Sequence, residues 1–195
     1  MEDFLRDSAW PGLALWAALF VSDYYLTIAC ARMYRAQDKV VFEGSFEITP
    51  AFQADVNALR SVSPKFLVAL VVYSALLWGL WRLSAWLPGM PNVYLATLGA
   101  MIGLELVVHV RHSRNWFLFS RGLRADGIRG RLEYPRAILL RMSAFELLTF
   151  AAFLSVLALL TSSWFVMGGA IGCALTGWRH LQLARRHARA SATSP

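Results

Sequence analysis

Residues Val93–His112, VYLATLGAMIGLELVVHVRH, decide how the rest of the chain is read. No formal charge interrupts this run before Glu105. At 1.5 Å of rise per residue, a helix of this length covers most of the roughly 30 Å hydrocarbon core of a bilayer. Glu105 and His109 therefore lie inside a membrane-spanning stretch. A charged group at the bilayer centre costs on the order of 3 kcal/mol even on the milder insertion scale, so such residues are rarely idle.

Working outward, four further apolar stretches reach spanning length: Pro11–Ala31, Phe66–Leu87, Ala137–Leu160 and Trp164–Leu183, beside Val93–Val110 itself. Of the 195 residues, 57% are hydrophobic and only 16% charged, where a soluble domain carries about a quarter. The expectation is an all-α polytopic bundle of five transmembrane helices forming one integral membrane domain over residues 1–195. The third helix is the shortest and is expected to run on into the basic segment after it.

Orientation follows from arginine and lysine. Three segments on one side hold every basic residue except Arg6 and Arg82, out of 19. They are the loop at 32–65, the basic loop at 111–136 with the start of the fourth helix, and the tail at 184–195 with the end of the fifth. The positive-inside rule then gives N-out, C-in. The acidic opening Met1-Glu2-Asp3 is unlike the positive n-region of a signal peptide, so the first helix is expected to be retained. Trp10, Trp81, Trp86 and Trp164 fall at the outer interface and Trp116 and Trp178 at the inner one. Trp16 and Trp78 lie deeper, as packing residues.

The formal charge of +7 thus describes an inner surface facing anionic lipid and gives no reason to invoke nucleic acid. Cys30 and Cys173 sit inside helices without metal or disulfide spacing and read as packing residues. The outer connections, Pro88–Asn92 and Thr161–Ser163, are short, which makes helices two and three one hairpin and helices four and five another. Gly99-x3-Gly103 and Gly168-x3-Gly172 allow close backbone approach, either between helices of one chain or across a homodimer face.

The inner loops carry the remaining structure. Lys39–Ile48 reads as a short hairpin or extended segment. Thr49-Pro50 reads as an N-cap and first helical residue, opening a short amphipathic helix with Phe52, Val56 and Leu59 on one face and Asp55 elsewhere. The arginine-rich segment at 112–136 is either a topology signal or a face for phosphate-bearing groups.

Three acids share one depth. Asp23, Glu105 and Glu146 each lie about 10–12 Å into the membrane from the inner side. Thr27 shares a face with Asp23, and His109 and His112 share one with Glu105. Tyr24, Tyr25 and Tyr73 can supply hydroxyls. Arg111, Arg114, Asn115 and Arg141 stand at the cytoplasmic mouth. Three readings stay open: a structural network, a proton- or cation-handling site in a small transporter or channel, and an inner-leaflet enzyme. A metal is allowed, with Glu105, His109 and His112 as candidate ligands and Asp23 or Glu146 completing the site, although the spacing is not that of helical zinc peptidases. No phosphate loop, dinucleotide fingerprint, serine elbow or heme-type histidine pair is found.

Asp23-x3-Thr27, followed after a loop by Glu47-Ile48-Thr49-Pro50, resembles a pattern of small uncharacterised bacterial polytopic membrane proteins. Where those proteins have Glu-x-Asn-Pro, Thr49 stands here for asparagine. The resemblance covers the first third of the chain. It implies a bacterial inner-membrane location and carries no assigned activity.

Overall fold

Ser8 accepts a hydrogen bond from the Trp10 N–H at 3.3 Å and so caps a 27-residue helix. Ser63 does the same for the Phe66 N–H, with Pro64 at the first helical position. These two capped starts set the register of the bundle. In the computed structural model, which describes residues 2–123 and 130–193, the helices are α1 (Glu2–Asp7), α2 (Ala9–Arg35), α3 (Pro50–Asn57), α4 (Pro64–Ser84), α5 (Met90–Phe117), α6 (Arg136–Thr161) and α7 (Trp164–Thr193). Arg124 and Arg129 of the basic segment lie outside the described residues, as do Ser194 and Pro195 of the tail. Helix α5 does run past the apolar stretch, and a π-helical turn at Leu118–Gly122 extends it.

Four helices are long and apolar enough to cross a membrane: Ala9–Arg35, Pro64–Ser84, Met90–Gly122 and Arg136–Thr161. Helix α7 is long enough, but its glycines and the polar Arg179 and His180 leave it less apolar than those four. Large apolar side chains cover the outside of the bundle. Phe145 is 74% exposed and Leu159 82%, and on α4 only Phe66 and Leu77 are buried. A water-soluble monomer rarely presents so much contiguous apolar surface.

Helix α7 is the spine of one half. It packs along both α5 and α6, whereas α5 and α6 barely meet. Helices α2 and α4 cover the other side of α5. The glycine motifs explain the closeness of α5 and α7, because Gly99 lies against the Phe165 backbone, Gly103 against Gly169, Gly168 against Ala96 and Gly172 against Ala100. The pairs advance together, so the two helices run parallel, and a Cβ on Gly168 would lie 1.9 Å from the Ala96 carbonyl oxygen. Both motifs are therefore used between helices of one chain, the first of their two expected uses.

The two ends of the bundle differ. At one, the tight turns after α4 and α6 meet α1. Glu2 accepts from the Ser163 hydroxyl at 2.6 Å and the Phe165 N–H at 3.0 Å, so α1 caps the start of α7. At the other, Val40–Phe42 (β1) pairs in parallel with Leu132–Tyr134 (β2), in register Val40↔Leu132 and Phe42↔Tyr134. The extended segment is present, but its partner comes from the second loop and not from a local hairpin. Tyr34, Phe42, Phe46 and Phe119 stack beneath this ladder. Helix α3 places Phe52, Val56 and Leu59 against Tyr24, Ile28 and Phe66 as its pattern requires. Asp55 lies off that apolar face. It is buried and accepts from the Ser63 hydroxyl at 2.5 Å and the Arg60 guanidinium at 2.9 Å, pinning α3 to the start of α4. Trp16 is buried in the core, but Trp78 is 48% exposed, with Arg82 over its ring, and is no packing residue.

Candidate functional site

Because α6 packs along α7 and not along α2, the loop end of the bundle opens between α2, α5 and α6. The opening is a cavity of about 600 Å³. Helices α2, α5, α6 and α7 form its walls, and residues from β1, β2 and the segment leading into α3 form its floor. Toward the turn end it is closed by an apolar plug in which Trp16, Leu95, Leu98 and Ile102 are all buried.

Asp23, Thr27, Glu105, Glu146, Arg111, Arg114, Asn115 and His112 all line this cavity. Depth in the sequence thus became proximity in space. Two of the expected residues do not line it. Arg141 is exposed and does not reach the acids, because its position on α6 turns it outward. His109 faces α2 and stands behind the cavity wall. Its Nε2 lies 2.7 Å from the Ser22 hydroxyl and its Nδ1 2.7 Å from the Glu105 carbonyl oxygen. A carbonyl only accepts, so Nδ1 carries hydrogen, and in the neutral ring the Nε2 lone pair is directed at α2.

The acids fall into two groups. Glu146 bridges the gap between α5 and α6. It accepts from Arg111 Nε at 2.9 Å and also from Arg114, which leaves it neutralised. Asp23 and Glu105 have no arginine. Asp23, Glu105 and His109 each present one ligand atom, and these atoms all lie within 4.8 Å of one another. Glu105 Oε2 is buried with no hydrogen-bond partner among the described residues. The candidate ligand set Glu105, His109 and His112 is therefore realised differently, with Asp23 in place of His112. His112 sits one step out, its Nε2 2.9 Å from the Thr27 hydroxyl and 3.1 Å from Asp23 Oδ1. The approach to Asp23 is a close contact and not a hydrogen bond, since Asp23 Oδ1 is buried with no hydrogen-bond partner among the described residues. His112 Nδ1 is buried and meets no partner among the described residues.

Several residues that sequence reasoning did not place in the site belong to it. Glu47 lines the cavity floor, its carboxylate accepting from the Thr49 N–H at 2.6 Å. Burial pushes its carboxyl above the usual value of 4.5. The Thr49 N–H and hydroxyl oppose the push, and nearby Asp23 adds to it. Arg136, at the start of α6, holds the segment carrying Glu47 by donating to the carbonyls of Ser45 and Ile48 at 3.1 and 2.8 Å. His180 on α7 also lines the cavity, with its Nδ1 2.8 Å from the Ser143 hydroxyl. Ser22 was beside Asp23 in plain view, and the Glu47 motif had been singled out, but neither had a visible partner. Of the three tyrosines only Tyr24 lines the cavity, and its hydroxyl donates to the Arg60 carbonyl at 2.8 Å.

The electrostatic balance of the lining is opposite to that of the chain. The protein carries +7, yet the lining holds four carboxylates, Asp23, Glu47, Glu105 and Glu146, against the two guanidiniums Arg111 and Arg114. Glu146 is offset by the two guanidiniums and burial biases Glu47 toward its neutral form, so Asp23 and Glu105 are the acids left to meet a cation. Comparison of the chain with models of known families, with curated proteins and with solved structures gave no match.

Proposed function

We propose that the chain is a multi-pass protein of a bacterial inner membrane, with α7 as a fifth span, N-out and C-in. Its activity is to take up a proton or another cation from the cytoplasmic side, as a small transporter or channel component. The convergence of Asp23 and Glu105 on the wall of a loop-end cavity, with His109 behind it and all three within 4.8 Å, carries this reading. The basic residues at the same end supply the orientation and face anionic lipid. Glu146, Arg111 and Arg114 span the opening and set its width, while Asp23, Glu105 and His109 handle charge.

Flux across reconstituted liposomes tests it. With an imposed pH or cation gradient, the wild type is expected to dissipate the gradient and Glu105→Gln and Asp23→Asn to slow this at least about tenfold, since each removes one of the ionisable groups that handle charge. Absence of flux in the wild type, or equal flux in all three proteins, overturns the reading.

The size of the cavity favours a second reading. About 600 Å³ is far more than a bare ion needs, and Phe20, Phe42, Phe46, Phe52 and Phe66 give it the apolar lining of an organic-ligand site. An inner-leaflet enzyme acting on an amphipathic molecule uses the same chamber from one side only. Recovery of such a molecule by native mass spectrometry of the purified protein, together with absent flux, selects this reading.

A further inference from the structure

We propose that Asp23, Glu105 and His109 form a binding site for a first-row divalent metal ion of the Zn²⁺ or Mn²⁺ type, with its free coordination positions facing the chamber. The inference rests on the cation reading of the same cluster and names the cation.

Geometry comes first. Ligands about 2.1 Å from a tetrahedral ion lie about 3.4 Å apart. Asp23, Glu105 and His109 start within 4.8 Å, so closing on an ion asks for roughly 1 Å of inward movement, which rotation of the two acidic side chains supplies. Asp23 comes from α2 and Glu105 and His109 from α5. Glu105 and His109 are four residues apart on one helix face, the spacing that lets two side chains reach one ion.

The imidazole is already prepared. With its Nδ1–H held by the Glu105 carbonyl, the neutral ring offers Nε2, and a metal-bound histidine is held in this same way by its other nitrogen. The Ser22 hydroxyl now occupies Nε2, and it has a second acceptor, the Leu19 carbonyl oxygen 2.9 Å away. An ion arriving at Nε2 displaces Ser22 without stranding its hydrogen. His112, hydrogen-bonded to Thr27, stands beside the first carboxylate with its Nε2 3.1 Å from Asp23 Oδ1.

A second observation is independent of this arrangement. Glu105 Oε2 and Asp23 Oδ1 are both buried with no hydrogen-bond donor among the described residues; Arg111 and Arg114 donate to Glu146, and Arg111 Nη2 is itself left without an acceptor there. A buried acceptor lacking a donor is costly, and an ion resolves that cost where the His112–Thr27 hydrogen bond alone does not. Two carboxylates and one imidazole suit a borderline ion better than Mg²⁺ or Ca²⁺, which prefer all-oxygen shells. Three protein ligands beside a cavity of this size leave positions open for water or a ligand atom, as in catalytic and transport sites and unlike closed structural ones.

Equilibrium titration of the full chain in lipid nanodiscs, free of any histidine tag, with Zn²⁺ or Mn²⁺ alone provides the test. One ion is expected to bind per chain, with Mg²⁺ and Ca²⁺ failing to compete. His109→Ala and Glu105→Gln should weaken binding by about 100-fold or more, the scale reached by losing even an outer-sphere partner. Ser22→Ala should leave affinity unchanged or raise it, because the ion displaces that hydroxyl. The absorption spectrum of Co²⁺ bound to the wild type reports imidazole ligation without relying on the folding of any variant. Absence of binding to the wild type, or affinities unaltered in His109→Ala and Glu105→Gln, overturns the assignment. Proton flux that depends on Glu105 in a protein that binds no metal removes this inference and leaves the cation reading. Metal binding without any flux does the reverse.

Discussion

Adding one methyl group at Gly168 should separate the two helices that hold the bundle together. A Cβ there would lie 1.9 Å from the Ala96 carbonyl oxygen and 2.6 Å from the Ala96 Cα. Both are backbone atoms on α5, so no rotamer change relieves the contact. Ordinary van der Waals contact begins near 3.4 Å, which forces α5 and α7 apart locally by about 1.5 Å. A gap of 0.5–1 Å already forfeits a quarter to a half of the dispersion energy across a surface. Overpacking costs about 1–3 kcal/mol where side chains can adjust, so Gly168→Ala is expected near the upper end, about 3 kcal/mol. Gly79 on α4 is the internal control, because a Cβ there meets nothing within 4 Å. Gly79→Ala should be neutral or stabilising by up to about 1 kcal/mol through helix propensity. Unfolding of both variants in mixed micelles, followed by circular dichroism against a denaturing detergent, reads the difference. Equal stability of Gly168→Ala and Gly79→Ala would refute the parallel α5–α7 packing. A changed oligomeric state with unchanged stability would return the glycines to a dimer face.

The strut across the cavity and the acid on its floor give two further expectations. Glu146→Gln keeps the shape of the side chain but leaves Arg111, 13% exposed, without its anion. Breaking a fully buried pair costs about 3–5 kcal/mol, and this partly open site should show about 2 kcal/mol, falling when Arg111→Met is added in a double-mutant cycle. Additive losses would show that the pair is not coupled. For Glu47, burial raises the folded pKa above the usual 4.5, so the folded chain holds a proton that the unfolded chain releases. Stability attributable to this residue is therefore greatest at acid pH and declines as pH rises from near 4.5 through the folded value. Glu47→Gln should be more stable than the wild type at neutral pH and indistinguishable from it below about pH 4, by thermal unfolding. A wild-type advantage that grows with pH would contradict the burial of this carboxyl.

Much of the architecture was legible because a bilayer imposes a length and an apolarity that composition records directly. The spans at Pro11–Ala31 and Ala137–Leu160 lie inside α2 and α6, whose observed ends extend them by a few residues. The Thr49-Pro50 signal opened a real helix. Helix α7 was harder, because the glycines that let it pack between α5 and α6 also dilute its apolar signal. That Asp23, Glu105 and Glu146 lie at one level of the bundle was legible, but the rotation of their helices was not. Nothing in the sequence says that Glu146 meets Arg111 and Arg114 while Arg141, also on α6, turns outward. Nor does it say that His109 looks at Ser22 and His112 into the cavity. The pairing of β1 with β2 lies beyond local pattern, since it joins Val40 to Leu132 across two spans. That pairing, with the grip of Arg136 on the segment before α3, is what brings Glu47 under the site.

Access to the polar wall of the cavity tests the central claim most directly. Thr176 lines the cavity and is only partly buried, and Thr176→Cys keeps a small side chain at that place on its wall. The native Cys30 and Cys173 are both fully buried, so the unsubstituted chain serves as the unreactive blank. A membrane-impermeant thiol reagent applied to inside-out and right-side-out vesicles should label Thr176→Cys from the cytoplasmic face only. Pre-loading with the transported or bound cation is not required. Labelling from the outer face, or from neither, would contradict a cytoplasm-facing chamber with Asp23, Glu105 and Glu146 on its wall.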